Sequence, residues 1–322
     1  MIEGLDEGSN RKDVSVVVRV RAGAENAIVR CSRPLPQSQT VFHEVSVGDG
    51  DKNRFTFDAV FGPHCSQADL YAAIGADVVK HSLEGYNACV MTYGQTSSGK
   101  TFSMLGPDGG SDRLFGDRTV DVRASEELGL VPRVLDTLFR RRNDKSSGEV
   151  STNIEISCVE LYNEVFFDLL SGDAEKSQNL RIREDANRGI FIEGAASLPV
   201  DNTPQLFDLL AKISSSKHTS FTAMNATSSR SHTIITVSVD QVDHVRHDST
   251  TNSRIFLVDL AGSERIEKTG AMGDRLKEAQ NINLSLTLLG NVIKKLTDGK
   301  SMHIPYRDSK LTRLLQNSLG GN

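Results

Sequence analysis

Hydrophobic and polar positions follow two different periods along this chain, and the two periods predict different elements. Residues 14–21 (VSVVVRVR) form a short apolar run and residues 54–61 (RFTFDAVF) carry phenylalanine at alternating positions; both patterns are typical of strands. Residues 67–84 have helical spacing instead, through Leu70, Ile74, Val78 and His81. The apolar stretch 86–93 (YNACVMTY) then predicts a strand that leads into Gly94.

The middle of the chain alternates between the same two patterns. Residues 105–128 are rich in Gly, Asp and Arg without a clear period, which predicts a long surface loop. The other segments predict helices at 130–141 and 204–217, a strand at 152–163 with a short element at 164–170, a hairpin of 180–185 with 189–195, and strands at 231–242 and 254–262. Strands and helices that mix in this way indicate an α/β domain with a central sheet.

Two amphipathic helices are predicted in the last fifth of the chain. One has an apolar stripe formed by Ile282, Leu286, Leu289, Ile293 and Leu296. The second begins near Asp308 or Ser309, since either side chain can cap a helix, and it ends at Gly320-Gly321.

Composition and charge narrow the class of protein. The 322 residues are 38% hydrophobic, which is enough for a large core, and the net charge of −5 gives no argument for nucleic-acid binding. The four cysteines are far apart without CxxC spacing, so neither a zinc site nor a disulfide framework is expected, and a reducing cytosol is the natural compartment. No run of about 18 apolar residues and no signal-peptide core is present, so we expect neither a membrane span nor export.

Residues 94–101 (GQTSSGKT) fit the phosphate-loop pattern GxxxxGK[ST]. In such a loop the backbone N–H groups surround the β-phosphate, Lys100 reaches the β- and γ-phosphate oxygens, and Thr101 can bind Mg²⁺. The strand predicted before the loop and the helix predicted after it are the required context, and the helix N-terminus favours an anion. The plainer alternative is a glycine turn followed by an exposed lysine.

Two further motifs bear on which nucleotide is bound. Residues 259–262 (DLAG) match the DxxG pattern, in which Asp259 holds the metal through water and the Gly262 amide senses the γ-phosphate. Residues 225–232 (NATSSRSH) concentrate hydroxyls, an arginine and a histidine, which Mg²⁺ and a γ-phosphate would partner; an ordinary polar loop is the alternative. No NKxD guanine-binding loop is present, so ATP is expected rather than GTP.

Together and in this order, GQTSSGKT, NATSSRSH and VDLAGSE resemble the phosphate loop and the two switches of a kinesin motor domain. The resemblance continues through 159–170, 268–286 and 303–321 and covers nearly the whole chain from Val14 onward. It implies a kinesin-type P-loop NTPase fold, with a central mixed, mostly parallel sheet flanked by helices on both faces. It also implies a motor domain over 14–322 after a flexible tail at 1–13, with microtubule-stimulated ATPase activity in the cytoplasm, on microtubules.

The resemblance implies a role for each matching residue. ATP or ADP would contact Arg19, Arg21, Gly94, Gln95, Thr96, Ser97, Ser98, Gly99, Lys100, Thr101 and Phe102. Mg²⁺ would be bound by Thr101 and Ser229, with Asp259 acting through water. The catalytic set would be Ser228, Ser229, Arg230, Gly262 and Glu264. Within it, Ser228 would face the γ-phosphate and the attacking water, and Arg230 would pair with Glu264 to fence that water.

The sequence departs from the kinesin pattern at several positions. Arg19-Val20-Arg21 matches the first three positions of the adenine-binding RxRP run, but Ala22 replaces the proline, so Phe102 could stack on the base instead. Lys217 and Ile213 stand where Arg and Gly are usual, and Leu284 replaces a lysine that normally faces tubulin.

A basic strip in the last part of the chain suits the acidic surface of a microtubule. Residues 285–322 hold six Lys/Arg against two Asp, a local net charge of +4, although an ordinary solvated face would look similar. The expected microtubule-binding residues are Arg188, Lys294, Lys295, Tyr306, Arg307, Lys310 and Arg313.

Other functions remain open at this point. A nucleotide-regulated microtubule-binding module without productive stepping is the main alternative, whereas a depolymerase lacks support because 35–54 contains no Lys-Val-Asp run. Kinesin motor domains continue into one more strand, a final helix and a neck linker. Because the sequence stops at Asn322, we expect a nucleotide-binding core that does not drive directed movement by itself.

Overall fold

The computed structural model describes residues 14–21, 29–34, 41–48, 53–107, 121–144, 150–171, 180–185, 189–224, 230–245, 249–264, 274–298 and 303–320. The chain divides into two compact units, Met1–Leu70 and Tyr71–Asn322.

The described residues of the first unit form a four-stranded sheet and one short helix. Its elements are β1 (Val17–Arg19), β2 (Val29–Pro34), β3 (Val41–Val47), β4 (Arg54–Phe61) and α1 (Gln67–Leu70). The strand order is β1-β4-β3-β2, and β1 runs parallel to β4 while the other two pairs are antiparallel. The strand predicted at 54–61 has the observed bounds of β4, although its burial does not alternate: Phe55 is exposed, and the buried residues are Val60 and Phe61 at its end.

The second unit is organised around a six-stranded sheet. The described strands of the whole second unit are β5 (Ala88–Thr92), β6 (Val150–Tyr162), β7 (Val165–Asp168), β8 (Arg181–Asp185), β9 (Gly189–Glu193), β10 (Leu198–Pro199), β11 (His232–Asp243) and β12 (Ser249–Asp259). The order in the large sheet is β10-β6-β11-β12-β5, with β7 also paired to β6, and β8 and β9 form the separate predicted hairpin.

The sheet is mixed, as expected, but the prediction that it is mostly parallel is wrong for the described strands. In the large sheet only β12 and β5 run parallel, whereas β10–β6, β6–β7, β6–β11 and β11–β12 are antiparallel. β11 pairs with β6 over 12 residues and with β12 over 11, and β12 begins at Ser249, shortly after β11 ends at Asp243. Adjacent antiparallel strands need only a short connection, so no crossover helix separates β11 from β12.

The helices of this unit follow the expected order. They are α2 (Ala76–Leu83), α3 (Lys100–Met104), α4 (Leu130–Asp144), α5 (Thr203–Met224), α6 (Asp274–Asp298), α7 (Lys310–Leu314) and α8 (Gln316–Leu319). A π-helical turn at Tyr71–Gly75 precedes α2, and a 3-10 turn at Tyr306–Asp308 precedes α7. Ser309 caps α7 by accepting a hydrogen bond from the Thr312 N–H, so the cap is Ser309 rather than Asp308.

Helices cover both faces of the large sheet, as predicted. On β12, Ser253 faces α2, where its hydroxyl lies 2.7 Å from the Ser82 hydroxyl. Side chains alternate along a strand, so Phe256 and Val258 point to the opposite face. There they join a core cluster with α6, α7 and α8, which contribute Leu286, Leu289, Val292, Leu311, Leu314, Leu315 and Leu319. None of the described helices is long and apolar enough to cross a membrane.

Candidate functional site

The loop at residues 94–99 connects the end of β5 to the start of α3 and has the backbone that a phosphate loop requires. Gly94 and Gly99 have φ values of +156° and +101°, a region that residues with a side chain rarely adopt. A Cβ on Gly94 would also lie 2.7 Å from the Ser98 hydroxyl oxygen. The two glycines of the motif are therefore needed for the shape of the loop itself.

The side chain of Lys100 is hydrogen-bonded to the backbone of this loop. Its Nζ donates hydrogen bonds to the carbonyl oxygens of Gly94 at 2.9 Å and Gln95 at 3.0 Å. Burial lowers the pKa of Lys100, while the carboxylates of Asp259 and Glu264 act in the opposite direction. The ammonium group is thus held at the mouth of the loop, between backbone carbonyls and two acidic side chains.

Thr101 and Asp259 meet beside the loop although they are far apart in sequence. The parallel strands β5 and β12 are in register at Thr92 and Asp259, so their carboxyl ends lie at the same edge of the sheet. Thr101 Oγ1 donates to Asp259 Oδ2 at 2.5 Å, and Thr92 Oγ1 donates to Asp259 Oδ1 at 3.2 Å. A hydroxyl beside a carboxylate is a set of hard oxygen ligands that fits Mg²⁺. Ser229, the other proposed Mg²⁺ ligand, lies outside the described residues.

Glu264 places its carboxylate on the phosphate loop. One carboxylate oxygen accepts a hydrogen bond from the Thr96 N–H at 2.8 Å, and the other accepts one from the Thr96 hydroxyl. Burial raises the pKa of Glu264, but the Thr96 hydrogen bonds and the charge of Lys100 outweigh it and lower the pKa overall. The lowered pKa keeps the Glu264 carboxylate ionised. The Thr96 N–H of the loop therefore donates to a negatively charged group.

The other catalytic candidates lie around this carboxylate or outside the described part of the chain. Gly262 is packed so closely that an added Cβ would overlap the Glu264 carboxylate and the Thr96 hydroxyl. Arg230 is half-buried just before β11, and its pairing with Glu264 stays a prediction. Ser228 lies outside the described residues.

Two buried polar residues near the site were not assigned a role from the sequence. Glu160 at the end of β6 accepts a hydrogen bond from the Ser231 hydroxyl, and its pKa is raised by burial, against the opposing effects of Ser231 and Lys217. His232 at the start of β11 is buried and contacts both the loop after β12 and α6. His232 belongs to the run 225–232, but only its tertiary contacts reveal what it does.

Comparison with known proteins agrees with this geometry. The family model described as kinesin motor domain matches residues 7–322, a range that spans both compact units. The chain belongs to the kinesin motor domain family. This membership confirms the expected P-loop NTPase fold of kinesin type.

Individual kinesins show the same likeness. The chain is 44% identical over 280 residues to chromosome-associated kinesin KIF4 of Mus musculus, covering 87% of this chain and 22% of that protein. It is 39% identical over 318 residues to kinesin-like protein klp-20 of Caenorhabditis elegans, covering 93% and 46%. A solved structure titled as that of a fast kinesin matches with a TM-score of 0.79 and 34% identity, covering 95% of this chain and 81% of that one. The chain spans less than half the length of these two curated relatives.

The residues expected to contact adenine in a kinesin lie partly in the first unit. Arg19 Nη1 donates to Gln67 Oε1 at 2.9 Å and Nη2 donates to the Cys65 carbonyl at 3.2 Å, and burial lowers the Arg19 pKa. Arg21 is exposed. In the second unit, Phe102 on α3 is 41% exposed. Their adenine contacts stay predictions.

The residues expected to contact the filament differ in how exposed they are. Lys294 and Arg307 are exposed, and Arg307 lies 3.9 Å from Glu184 of the β8–β9 hairpin. The remaining described members are half-buried: Lys295, Tyr306, Lys310 and Arg313. Arg188 lies outside the described residues.

Two of the half-buried members have structural contacts. Lys310 holds its ammonium group 5.7 Å from the centre of the Phe166 ring, and its backbone N–H donates to a Glu164 carboxylate oxygen. The Tyr306 hydroxyl is buried and has no hydrogen-bond partner among the described residues. Both residues of the proposed filament-binding set therefore also contribute to packing around α7.

Proposed function

We propose that this chain is an ATP-hydrolysing motor domain that binds microtubules and couples ATP turnover to force or movement along them. One observation carries the proposal: the loop at 94–101 and the run at 259–264 converge at the carboxyl ends of β5 and β12. At this edge of the sheet, Thr101 is hydrogen-bonded to Asp259, and the Glu264 carboxylate accepts hydrogen bonds from Thr96 of the phosphate loop. Membership of the kinesin motor domain family supports the microtubule as partner and the cytoplasm, on microtubules, as location.

Different residues of the described site would bind different parts of the triphosphate and its metal ion. The N–H groups of the loop bind phosphate oxygens, and Lys100 turns from the Gly94 and Gln95 carbonyls towards the β- and γ-phosphates. Thr101 would hold Mg²⁺ directly and Asp259 would hold it through water. The metal supplies charge neutralisation to the phosphate oxygens when it is bound.

Glu264 gives the site two arrangements. In the arrangement that the structure shows, the Glu264 carboxylate accepts hydrogen bonds from the Thr96 N–H and hydroxyl. An incoming phosphate would use the same two donors. A γ-phosphate near Gly262 therefore favours release of Glu264, whose carboxylate can then pair with Arg230 and enclose the attacking water beside Ser228 and Ser229. Phosphoryl transfer needs positioning and charge stabilisation more than covalent chemistry, so this closure is the step that assembles the catalytic arrangement.

The alternative of a nucleotide-regulated binding module without productive stepping is not better supported. Leu284, which stands where kinesins usually have a lysine, is 51% exposed on α6 and removes one expected filament contact. That loss affects the strength of filament binding rather than the phosphate site.

The experiment that tests the nucleotide assignment compares Lys100→Ala with Lys80→Ala, because Lys80 is an exposed lysine on α2. We expect Lys100→Ala to lower the rate of phosphate release from ATP by about 10²-fold or more, since the phosphate oxygens lose their main compensating charge. Lys80→Ala should release phosphate at the parent rate. Parent-like turnover by Lys100→Ala would contradict the assignment of the loop.

A further inference from the structure

The imidazole ring of His232 is hydrogen-bonded to two other elements of the second unit. Its Nδ1 lies 3.0 Å from the backbone nitrogen of Ala261, in the loop after β12. Its Nε2 lies 2.9 Å from the hydroxyl oxygen of Ser285 on α6. All three residues are buried. One ring, carried by the first residue of β11, therefore joins the DLAG loop to α6.

The direction of each hydrogen bond follows from the partners. A backbone N–H can only donate, so Nδ1 of His232 accepts from Ala261. The proton of the neutral ring then sits on Nε2, which donates to the Ser285 hydroxyl. Burial, with a smaller effect from the charge of Lys100, lowers the pKa of His232 to about 4, so the ring is neutral at the pH of the cell. Both ring nitrogens are therefore satisfied in a single tautomer.

The two partners lie at functionally different places. Ala261 immediately precedes Gly262, the residue proposed to sense the γ-phosphate, and Ala261 itself is fully buried. Ser285 lies on the same helix as Lys294, which is exposed in the proposed filament-binding set. A second contact between the same two segments is longer: Asn283 Nδ2 donates to the Glu264 carbonyl oxygen at 3.4 Å.

We propose that His232 is a positioning residue that couples the γ-phosphate-sensing loop to α6, so that the nucleotide state sets the microtubule affinity through its two hydrogen bonds. This inference rests on the proposed function, because it assumes that the loop senses ATP and that α6 faces the filament.

The physical reason is that neither bond can break without cost. The ring is buried, so separating it from Ala261 or from Ser285 would leave one nitrogen of the His232 ring without its hydrogen-bond partner and away from solvent. A shift of the loop at Ala261 therefore displaces α6 at Ser285, or the reverse. Coupling of this kind is reciprocal: a filament that holds α6 in one position must also change nucleotide affinity.

The test uses Ser285→Ala, which removes the Nε2 partner and leaves the ring and its bond to Ala261 in place. The matched control is Thr287→Val on the same helix, because the exposed Thr287 hydroxyl donates to the Asn283 carbonyl of its own helix and to no other element in the described part of the chain. For each protein, the dissociation constant for taxol-stabilised microtubules is measured with a non-hydrolysable ATP analogue and with ADP. The ratio of the two constants reports the coupling.

We expect Ser285→Ala to reduce this ratio by about fivefold or more, because an allosteric link of ordinary strength is lost. Its affinity for a fluorescent ADP without microtubules should stay within about twofold of the parent, since the phosphate loop is untouched. Thr287→Val should keep the parent ratio. A parent-like ratio in Ser285→Ala would overturn the proposal.

Two substitutions of His232 separate its two bonds. His232→Asn can keep an acceptor for the Ala261 N–H but is too short to reach Ser285, so it should lose coupling as Ser285→Ala does. His232→Gln can reach Ser285 and should retain more of the ratio than His232→Asn. Equal ratios in both, unchanged from the parent, would also overturn the proposal, and a thermal melt identifies any variant that fails to fold.

Failure of the coupling can be distinguished from failure of the proposed function. If the parent protein shows no ATP turnover or no microtubule binding, the proposed function is wrong. If the parent shows both and Ser285→Ala keeps the full difference between nucleotide states, only the role of His232 is wrong.

Discussion

Gly262 is held where no side chain fits. The position that a Cβ would occupy overlaps the Glu264 carboxylate and the Thr96 hydroxyl. Substitution must push Glu264 off the loop or displace the Gly262 amide, which is proposed to contact the γ-phosphate. Either displacement disturbs both arrangements of the site.

We therefore expect Gly262→Ala to lower ATP turnover by about 10²-fold, as removal of one well-placed donor does in other enzymes. Gly290→Ala is the matched control, because a Cβ at Gly290 on α6 meets nothing within 4 Å. That control should turn over ATP at the parent rate and be equally or more stable, since alanine favours a helix interior. Equal rates for the two variants would show that Gly262 lies away from the chemistry.

The buried ring of His232 makes stability depend on pH. Its pKa is about 4 in the folded chain against an ordinary value of 6.5, because burial disfavours the charged ring. Below pH 6.5 the unfolded chain therefore binds a proton that the folded chain does not. The contribution of His232 to stability is complete above pH 6.5 and is lost as the pH falls towards 4.

Reversible urea unfolding of the parent and of His232→Asn should show this difference. The advantage of the parent in free energy of unfolding should shrink by about 2 kcal/mol between pH 7 and pH 5, because asparagine does not titrate. Taking the difference between the two proteins cancels the titration of the carboxylates. A difference that stays constant over this range would mean that the ring is not held neutral by burial.

The motifs predicted which residues lie close together better than they predicted the hydrogen bonds between them. Lys100, Thr101, Asp259 and Glu264 were identified from local patterns and family resemblance, and the described fold brings them together. The hydrogen bonds of Glu264 to Thr96 and of His232 to Ser285 join residues with large separations in sequence. No local pattern contains such a pair, so these contacts emerge only from the packing of β11, β12 and α6.

At the scale of elements, the exposed basic residues of α6 and of the turn before α7 form the most accessible part of the proposed filament surface. Lys294 and Arg307 project into solvent, unlike Lys310, whose ammonium group lies over the Phe166 ring. Reversing the charge at Lys310 would therefore disturb packing as well as binding. Lys294 and Arg307 are the better positions for an electrostatic test.

We expect the double variant Lys294→Glu and Arg307→Glu to weaken microtubule binding by about tenfold at low salt, with a smaller effect at high salt because exposed charges are screened. The control is Lys80→Glu with Arg141→Glu, which makes the same charge change at two exposed residues. Lys80 lies on α2, which packs on the opposite face of the sheet. Co-sedimentation with microtubules measures the affinity of both double variants. Equal weakening in the two would contradict the proposed surface, because the loss would then follow from the change in net charge and not from the positions of Lys294 and Arg307.

Some elements with a clear period, such as β4, were predicted with their observed bounds, but others were not: the helix predicted at 204–217 runs to Met224, and the one predicted at 67–84 contains a π-helical turn. β3 was not predicted, because its register against β4 shifts between Phe42 and Glu44 and so interrupts the alternation of buried residues. β12 begins at Ser249, five residues before the apolar run that predicted it. Its polar start is held by pairing with β11 as far as Asp243 and Ser249, and hydrophobic periodicity does not report on such a ladder.

At the scale of the whole molecule, charge is distributed unevenly. The chain carries a net charge of −5, whereas residues 285–322 carry a local +4, so the part proposed to face the filament is opposite in sign to the whole chain. An acidic filament would attract that part and orient the rest of the molecule away. Filament binding and nucleotide binding are therefore expected on separate surfaces, linked through α6.

The most direct measurement is the steady-state ATPase rate of this chain as the concentration of microtubules increases. We expect a low rate without microtubules and a rise of about tenfold or more that saturates with microtubule concentration, since the filament and the nucleotide site are coupled. Lys100→Ala should show no rise. An ATPase rate that is the same with and without microtubules, in a protein that binds both ATP and microtubules, would contradict a motor whose chemistry is linked to its filament.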